Sequence, residues 1–252
     1  MSTDATYRPG NRLLGAICLW LLSLSTMAGG SALPAPLSTF YAEYRVTNGS
    51  IQLGTTTISL QPDTGGWHYR SITEASGLAS LFVSGQAIES TWLEPHNGRL
   101  RPMVYDHSAP DKENDIRVDF DWAARAAKVR DADGVRTLDL DKDTLDGFSA
   151  TLAMIQHVAR GEQDVRIATI DDDGERETLV FRQAGRESIS VPFGTFDAVR
   201  VERVRRGKKR ETITWLAPEL DWVAVRIDQR KDGDLTGRLE LTGLKGEAAQ
   251  SD

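Results

Sequence analysis

The sequence predicts a mainly β protein: a single large antiparallel sheet, curled or half-closed into a barrel, with one amphipathic helix packed against it. Three observations carry this. Segment after segment alternates apolar and polar residues with a period of two. Asn-Gly, Asp-Gly and Gly-Gly pairs punctuate those segments as turns. Only one long stretch has helical spacing. Without any alternation of strands and helices, successive strands are expected to be antiparallel neighbours, and a sheet this wide curves or splits.

The elements follow in order. In FYAEYRV, Phe40, Ala42, Tyr44 and Val46 alternate with Tyr41, Glu43 and Arg45, and Asn48-Gly49 turns the chain into IQLGTTTISL, where Gly54 marks a bulge. Trp67, Tyr69, Ser71 and Thr73 share one face of the next strand. SGLASLFVSG (Ser76–Gly85) breaks the alternation and reads as a helical turn or a loop lying over the core. Ile88, Ser90 and Trp92 align in the strand after it. RLRPMVYDH follows, then a polar loop, then a strand aligning Ile116, Val118, Phe120 and Trp122, and two short strands flanking DADG.

DGFSATLAMIQHVARG places Phe148, Leu152, Ile155 and Ala159 on one helical face, with Asp146 as N-cap and Gly161 as the stop. Strands return in DVRIATI, ERETLVFRQ and ESISV. VPFG then makes a turn, with Pro192 at its second position and Gly194 at its fourth. Four more strands form a meander whose Val199, Val201, Ile213, Trp215, Val223, Val225, Ile227, Leu239 and Leu241 are expected to face one core.

The chain has 252 residues, organised as a signal peptide over 1–32, one β-rich domain over 33–246 and a disordered tail over 247–252. Arg8 and Arg12 precede the apolar run Leu13–Ser25 and small residues follow it, which is the pattern of a secretory signal. Cleavage falls after Ala32 or after Ala28. The apolar run is shorter than the 20 or so residues a transmembrane helix needs, so the mature chain is expected to have no membrane span. The single cysteine, Cys18, lies inside that run with apolar neighbours on both sides, which is not the setting of a lipid-anchored cysteine. Removing 1–32 takes away Arg8, Arg12 and Asp4 and moves the formal charge from −7 to −8. A chain this acidic, with no global basic field, is not expected to bind nucleic acid. The export signal places it in the periplasm.

No catalytic constellation emerges. Asp106, His107 and Ser108 are consecutive, and neighbours in a strand point to opposite faces. No Gly-x-Ser-x-Gly elbow occurs and the mature chain lacks a thiol. The four histidines are scattered. Asp139, Asp141 and Asp143 open like a calcium loop, but Thr144 stands where that loop needs glycine and Ala150 where it needs glutamate. DDDGE (171–175) and DADG read as turns. Neither a metal nor another cofactor is expected.

Two features point to binding. Trp67, Tyr69, Trp92, Trp122, Phe148 and Trp215 lie in or beside predicted elements and are candidates to line a cavity, with Leu81 and Phe82 closing it as a lid. The run Arg205, Arg206, Lys208, Lys209, Arg210 forms a basic hairpin tip, either a contact for an anionic surface or a solvated tip that discourages edge pairing.

GLASLFVSG, ESTWLEPHNGRLRPMVY, VPFGTFDAVRVER and TWLAPELDWVAVRID, in that order, resemble an uncharacterised family of exported bacterial proteins catalogued as a domain of unknown function. The resemblance runs from about Phe40 to Leu244, with Ala224 standing where the family typically has proline. It implies a β-rich exported domain similar to the half-open barrels of periplasmic lipoprotein carriers, and it brings no catalytic residues. The resulting expectation is a non-enzymatic periplasmic module that binds an apolar small molecule or acyl chain. The alternatives are an envelope scaffold that binds another protein through a sheet edge or the basic tip, and a hydrolase of unrecognised type.

Overall fold

The computed structural model describes residues 33–81, 85–110, 112, 114–204 and 210–249. The expected signal segment, Phe82, and Arg205, Arg206, Lys208 and Lys209 of the basic run lie outside the described residues. Within them the strands form one sheet. The first eight are β1 (Phe40–Asn48), β2 (Ile51–Asp63), β3 (Gly66–Ala75), β4 (Gln86–His96), β5 (Arg99–Ser108), β6 (Ile116–Asp121), β7 (Ala126–Asp131) and β8 (Gly134–Asp139). After the two-residue β9 (Leu145–Asp146) and the helix α1 (Ala150–Ala159) come β10 (Asp164–Ile170), β11 (Arg176–Val191), β12 (Gly194–Arg203), β13 (Arg210–Ala217), β14 (Val223–Lys231) and β15 (Asp234–Gly246). The order across the sheet runs β8 to β1, then β15 down to β9. Two consecutive meanders are thus joined by pairing of the first strand with the last. The sheet curls without closing, as the sequence predicts.

Local chemistry explains the meander. Asn48-Gly49, Gly65-Gly66, Asn97-Gly98 and Asp232-Gly233 sit in its tight turns, and Gly49, Gly65, Gly98 and Gly233 all have positive φ. The ladder slips one residue where Val46 pairs with Gly54 and Thr47 with Gln52, the bulge expected there. Gly54 is needed because a Cβ at that position would collide with the carbonyl of Glu74 on β3. VPFG turns β11 into β12 as expected. Gly194 owes its identity to packing rather than to a positive φ, since a Cβ there would meet the ring of Phe196 at 2.9 Å.

Helix α1 lies on the concave face. Met154, Ile155 and Val158 pack with Val165, Ile167, Leu179, Phe181, Val199, Val201 and Leu216 of β10–β13. Phe148, just before the helix, and Leu152 instead join Tyr69, Leu93, Leu100 and Tyr105 of the first meander. One helix therefore serves as core for both half-sheets, with each fully buried Leu, Ile or Met contributing on the order of 2 kcal/mol. Asp146 does not cap the helix from the N-cap position, which Ser149 occupies. Its carboxylate instead accepts from the peptide N–H groups of Phe148 (3.0 Å) and Ser149 (2.7 Å) ahead of the first turn.

Two inward faces differ from expectation. On β4 the residues facing α1 are Glu89, Thr91 and Leu93, because Thr91 pairs with Tyr69 and Leu93 with Trp67. Ile88, Ser90 and Trp92 face outward. On β13, Thr214 and Leu216 pair with Val201 and Val199 of the concave face, which turns Ile213 and Trp215 to the other side. Both sides of β13 are apolar because the distal part of the β11–β12 hairpin folds over: Ile189 and Ala198 share a cluster with Trp215, Val223 and Val225, and the Phe193 N–H donates to Leu241 O at 3.0 Å. Beyond Gly246, the turn Glu247–Ala249 docks rather than fraying, with Ala248 fully buried and its N–H donating to Thr39 O.

Candidate functional site

The two free edges, β8 and β9, meet across a seam with no backbone ladder between them. Side chains close it. Thr91 Oγ1 on β4 donates to Asp146 Oδ1 at 2.9 Å. Phe148 stacks on Tyr69 with ring centroids 4.0 Å apart. Arg136 on β8 pairs with Asp131 and donates to the carbonyl of Asp173 at 2.7 Å, clasping the β10–β11 turn. Gly174 fits that clasp because any side chain there would strike Arg136 and Val129.

Three spaces lie within or beside the curl. The first, about 160 Å³, lies inside the curl between α1 and β1, β13 and β14, lined by Phe40, Tyr44, Met154, Phe181, Trp222 and Ile227 among others. It matches the size of a dry apolar void that holds a benzene-sized molecule. At this size it falls well below a typical ligand pocket of about 300 Å³ or more and is too small for a long acyl chain.

The second space is a polar mouth of about 590 Å³ lined by Glu89, Tyr105, Phe148, Asp171, Asp172 and Arg203 with the ends of β13 and β14, including Arg210. Tyr105 Oη donates to Glu89 Oε1 at 2.9 Å. Burial pushes the Glu89 carboxyl up to about 7, against the lowering effects of the Tyr105 hydrogen bond and His107. Burial likewise raises Asp146, opposed by its bonds from Ser149 and Thr91, and raises Tyr105, Tyr69 and Tyr44. Ser149 Oγ donates to Asp146 Oδ2 at 2.6 Å, but both are buried and among the described residues no histidine hydrogen-bonds to either. This is a helix-anchoring pair rather than an activated nucleophile. Asp171 Oδ1 accepts from the N–H groups of Asp173 and Glu175, so the DDDGE segment spends its first carboxylate on its own turn.

The third and largest space, about 730 Å³, is a groove along the seam. Its walls are the β4–β5 turn, the segment before β9, one side of α1 and the start of β10. Leu100, Trp122, Leu145, Leu152, Ala153 and Ile167 give it an apolar floor. Arg99, Arg101, Lys142, Arg160 and Arg166 stand around it with Asp143 as the sole carboxylate in the lining. Arg101 is bound to Glu94 and stacks over Trp122 at 4.9 Å, and the Trp122 indole N–H donates to Pro102 O at 2.8 Å.

The aromatic residues singled out in the sequence scatter over these places. Tyr69 lines the interior void, Phe148 the mouth and Trp122 the groove. Trp67 packs against the core and lines none of the three spaces. Trp92 lies on the convex side, stacked on His68 at 4.3 Å with its N–H donating to Asp63. Trp215 turns away from α1 beneath Arg226, whose guanidinium is 4.7 Å from the ring centroid. Leu81 is 74% exposed at the end of a short helical turn. The groove cations escaped sequence reasoning because they come from four separate segments with no common spacing.

The fold and its seam define a half-barrel β domain, plugged by one helix, with a ligand-sized groove where the curl stays open. Among the described residues no helix is long and apolar enough to cross a membrane. The chain belongs to a family whose description is Protein of unknown function (DUF3108), matched over residues 43–240. Its fold is similar to a β-barrel-like protein of domain of unknown function DUF1849 from Brucella abortus, at 10% identity and TM-score 0.50, covering 83% of this chain and 98% of that one. A candidate lipoprotein from Parabacteroides distasonis aligns at 12% identity and TM-score 0.34, over 84% of this chain and 97% of that one. Comparison with curated proteins gives no match.

Proposed function

We propose that the protein is a non-enzymatic binding module of the cell envelope, exported to the periplasm, that holds a lipid-like ligand in the seam groove. The observation that carries this reading is the groove itself: about 730 Å³ with an apolar floor, against an interior void of only about 160 Å³. Burial of an acyl chain against the half-buried Trp122, Leu145 and Ala153 supplies affinity at about 25 cal/mol per Å² of apolar surface removed from water. A neutral apolar dye, N-phenyl-1-naphthylamine, tests it. Binding is expected in the unmodified protein and is lost in Ala153→Trp, which fills the groove from the half-exposed side of α1. Native mass spectrometry of protein purified without detergent is expected to show a retained lipid-sized mass. Dye binding unchanged by Ala153→Trp would remove the groove from consideration.

An envelope scaffold is the second reading. The observation favouring it is the free edge of β8, where Val135 is 63% exposed. In-cell crosslinking from position 135 that recovers one defined envelope protein would support it, and recovery of none would end it.

A further inference from the structure

We infer that the ligand of the seam groove is a lipid with an anionic, phosphate-bearing headgroup, its phosphate held by Arg99, Lys142 and Arg166 while its chain lies on the apolar floor. This rests on the reading of the groove as the ligand site and adds the class of headgroup. The argument begins with where the positive charge is. The chain carries a formal charge of −7, yet the groove lining gathers five Arg and Lys side chains against the single carboxylate of Asp143. The polar mouth is balanced by contrast, with Glu89, Asp171, Asp172 and Glu211 facing Arg203, Arg210, Arg230 and Lys231. Excess cation is therefore a property of the groove and not of the cavities generally.

The cations also differ in how far they are already occupied. Arg101 is taken by Glu94 and Trp122, and Arg160 by Glu162 at 3.3 Å. Arg99 and Lys142 share one partner, Asp143, at 3.5 and 4.0 Å, and all three side chains are well exposed. Arg166 has no ion pair among the described residues. Arg99 and Lys142 thus answer to one carboxylate and Arg166 to none of those described, and an incoming anion supplies what they lack. A guanidinium fork suits phosphate, presenting paired N–H donors to two oxygens.

The backbone adds to this. β9 pairs with β10 only at Thr169 and Ile170, so the edge of β10 over residues 164–168 faces the seam without a ladder partner. Its free peptide groups would be costly beneath a neutral hydrocarbon and are compatible with a polar headgroup and its water. A zwitterionic headgroup would bring a quaternary ammonium into the same basic rim, which opposes binding there.

Calorimetric titration with palmitoyl lysophosphatidylglycerol and palmitoyl lysophosphatidylcholine, both below micelle concentration, tests the inference. The anionic lipid is expected to bind about tenfold tighter, as two or three partly exposed charge pairs supply. That preference should shrink as salt rises. In Arg99→Gln/Arg166→Gln, both changes being at exposed positions, the preference should disappear while affinity for the zwitterionic lipid and the thermal midpoint stay as they were. Equal affinity for the two lipids in the unmodified protein would overturn the headgroup assignment and leave the groove reading standing. Failure of both lipids and of the neutral dye would overturn both. Inorganic phosphate binding as tightly as the anionic lipid would overturn the lipid and leave a plain anion site.

Discussion

The two half-sheets meet twice, and the two junctions are built differently. At one, β1 and β15 run antiparallel from the Phe40–Gly246 pair to the Thr47–Arg238 pair, a ladder interrupted by a single bulge. Ala42, Tyr44 and Leu241 beneath it are almost wholly buried. At the other, β8 and β9 share no ladder at all, and closure falls to Arg136, Thr91, Asp146 and the Tyr69–Phe148 stack. A backbone ladder is cooperative and indifferent to side-chain identity, whereas a side-chain clasp can be undone one residue at a time. The same curl therefore has a permanent side and an adjustable side, and the largest space opens on the adjustable one.

Substitutions at the seam sharpen this contrast. Asp146→Ala should cost the most, about 3–5 kcal/mol, because it strips a buried acceptor from the Phe148 and Ser149 amides and the Thr91 and Ser149 hydroxyls. Denaturant melts give the size. Hydrogen exchange should show α1 and the seam loosened while the β1–β15 amides keep their protection until global unfolding. Equal loss at both junctions would break the distinction.

Glu89 comes next. Its pKa rises from 4.5 to about 7 in the fold, so the folded protein holds a proton that the unfolded chain releases. Its contribution is complete below pH 4.5 and is lost as pH climbs through 7. Glu89→Gln should therefore flatten the fall in stability between those values, by on the order of 2 kcal/mol given its partial exposure. Melts of both proteins across that range check it, and parallel pH profiles would remove Glu89 as the cause.

Arg136→Ala is the mildest, at about 1 kcal/mol for a half-exposed clasp. Faster exchange confined to β8 and residues 171–175 is the expected signature. Exchange spreading into β1 or β15 would show that the two junctions are coupled.

Most of the fold was legible because it obeys alternation. Phe40 to Val46 and Ile116 to Trp122 read correctly because one side of each strand is apolar and the other is not. β4 misled for the opposite reason: its inward residue Glu89 is a polar, ionisable one, since the curl at that point is a polar mouth and not a core. Apolar-in patterning cannot report such a stretch. β13 misled because the returning β11–β12 hairpin makes its outer side apolar as well, so Trp215 and Leu216 are both buried. Of the groove, only Trp122 carried a local signal. Arg99, Lys142, Arg160 and Arg166 are ordinary surface residues until the seam brings their segments together, and in the sequence the dense basic run at 205–210 is the stronger charge signal. The conspicuous VPFG motif proved to be a turn whose glycine makes room for Phe196.

The pairing of β1 with β15 also sets the order in which the chain can fold. Hairpins within each meander form between near neighbours, but contacts such as that between Thr39 and Glu247 span 208 residues. That closure comes late and slows the overall rate, as non-local pairing does generally. Until it forms, each chain presents two complementary bare strands. The last strand of one molecule then fits the first strand of another as well as it fits its own, and exchanged dimers are the inherent error of this topology when nascent chains are crowded.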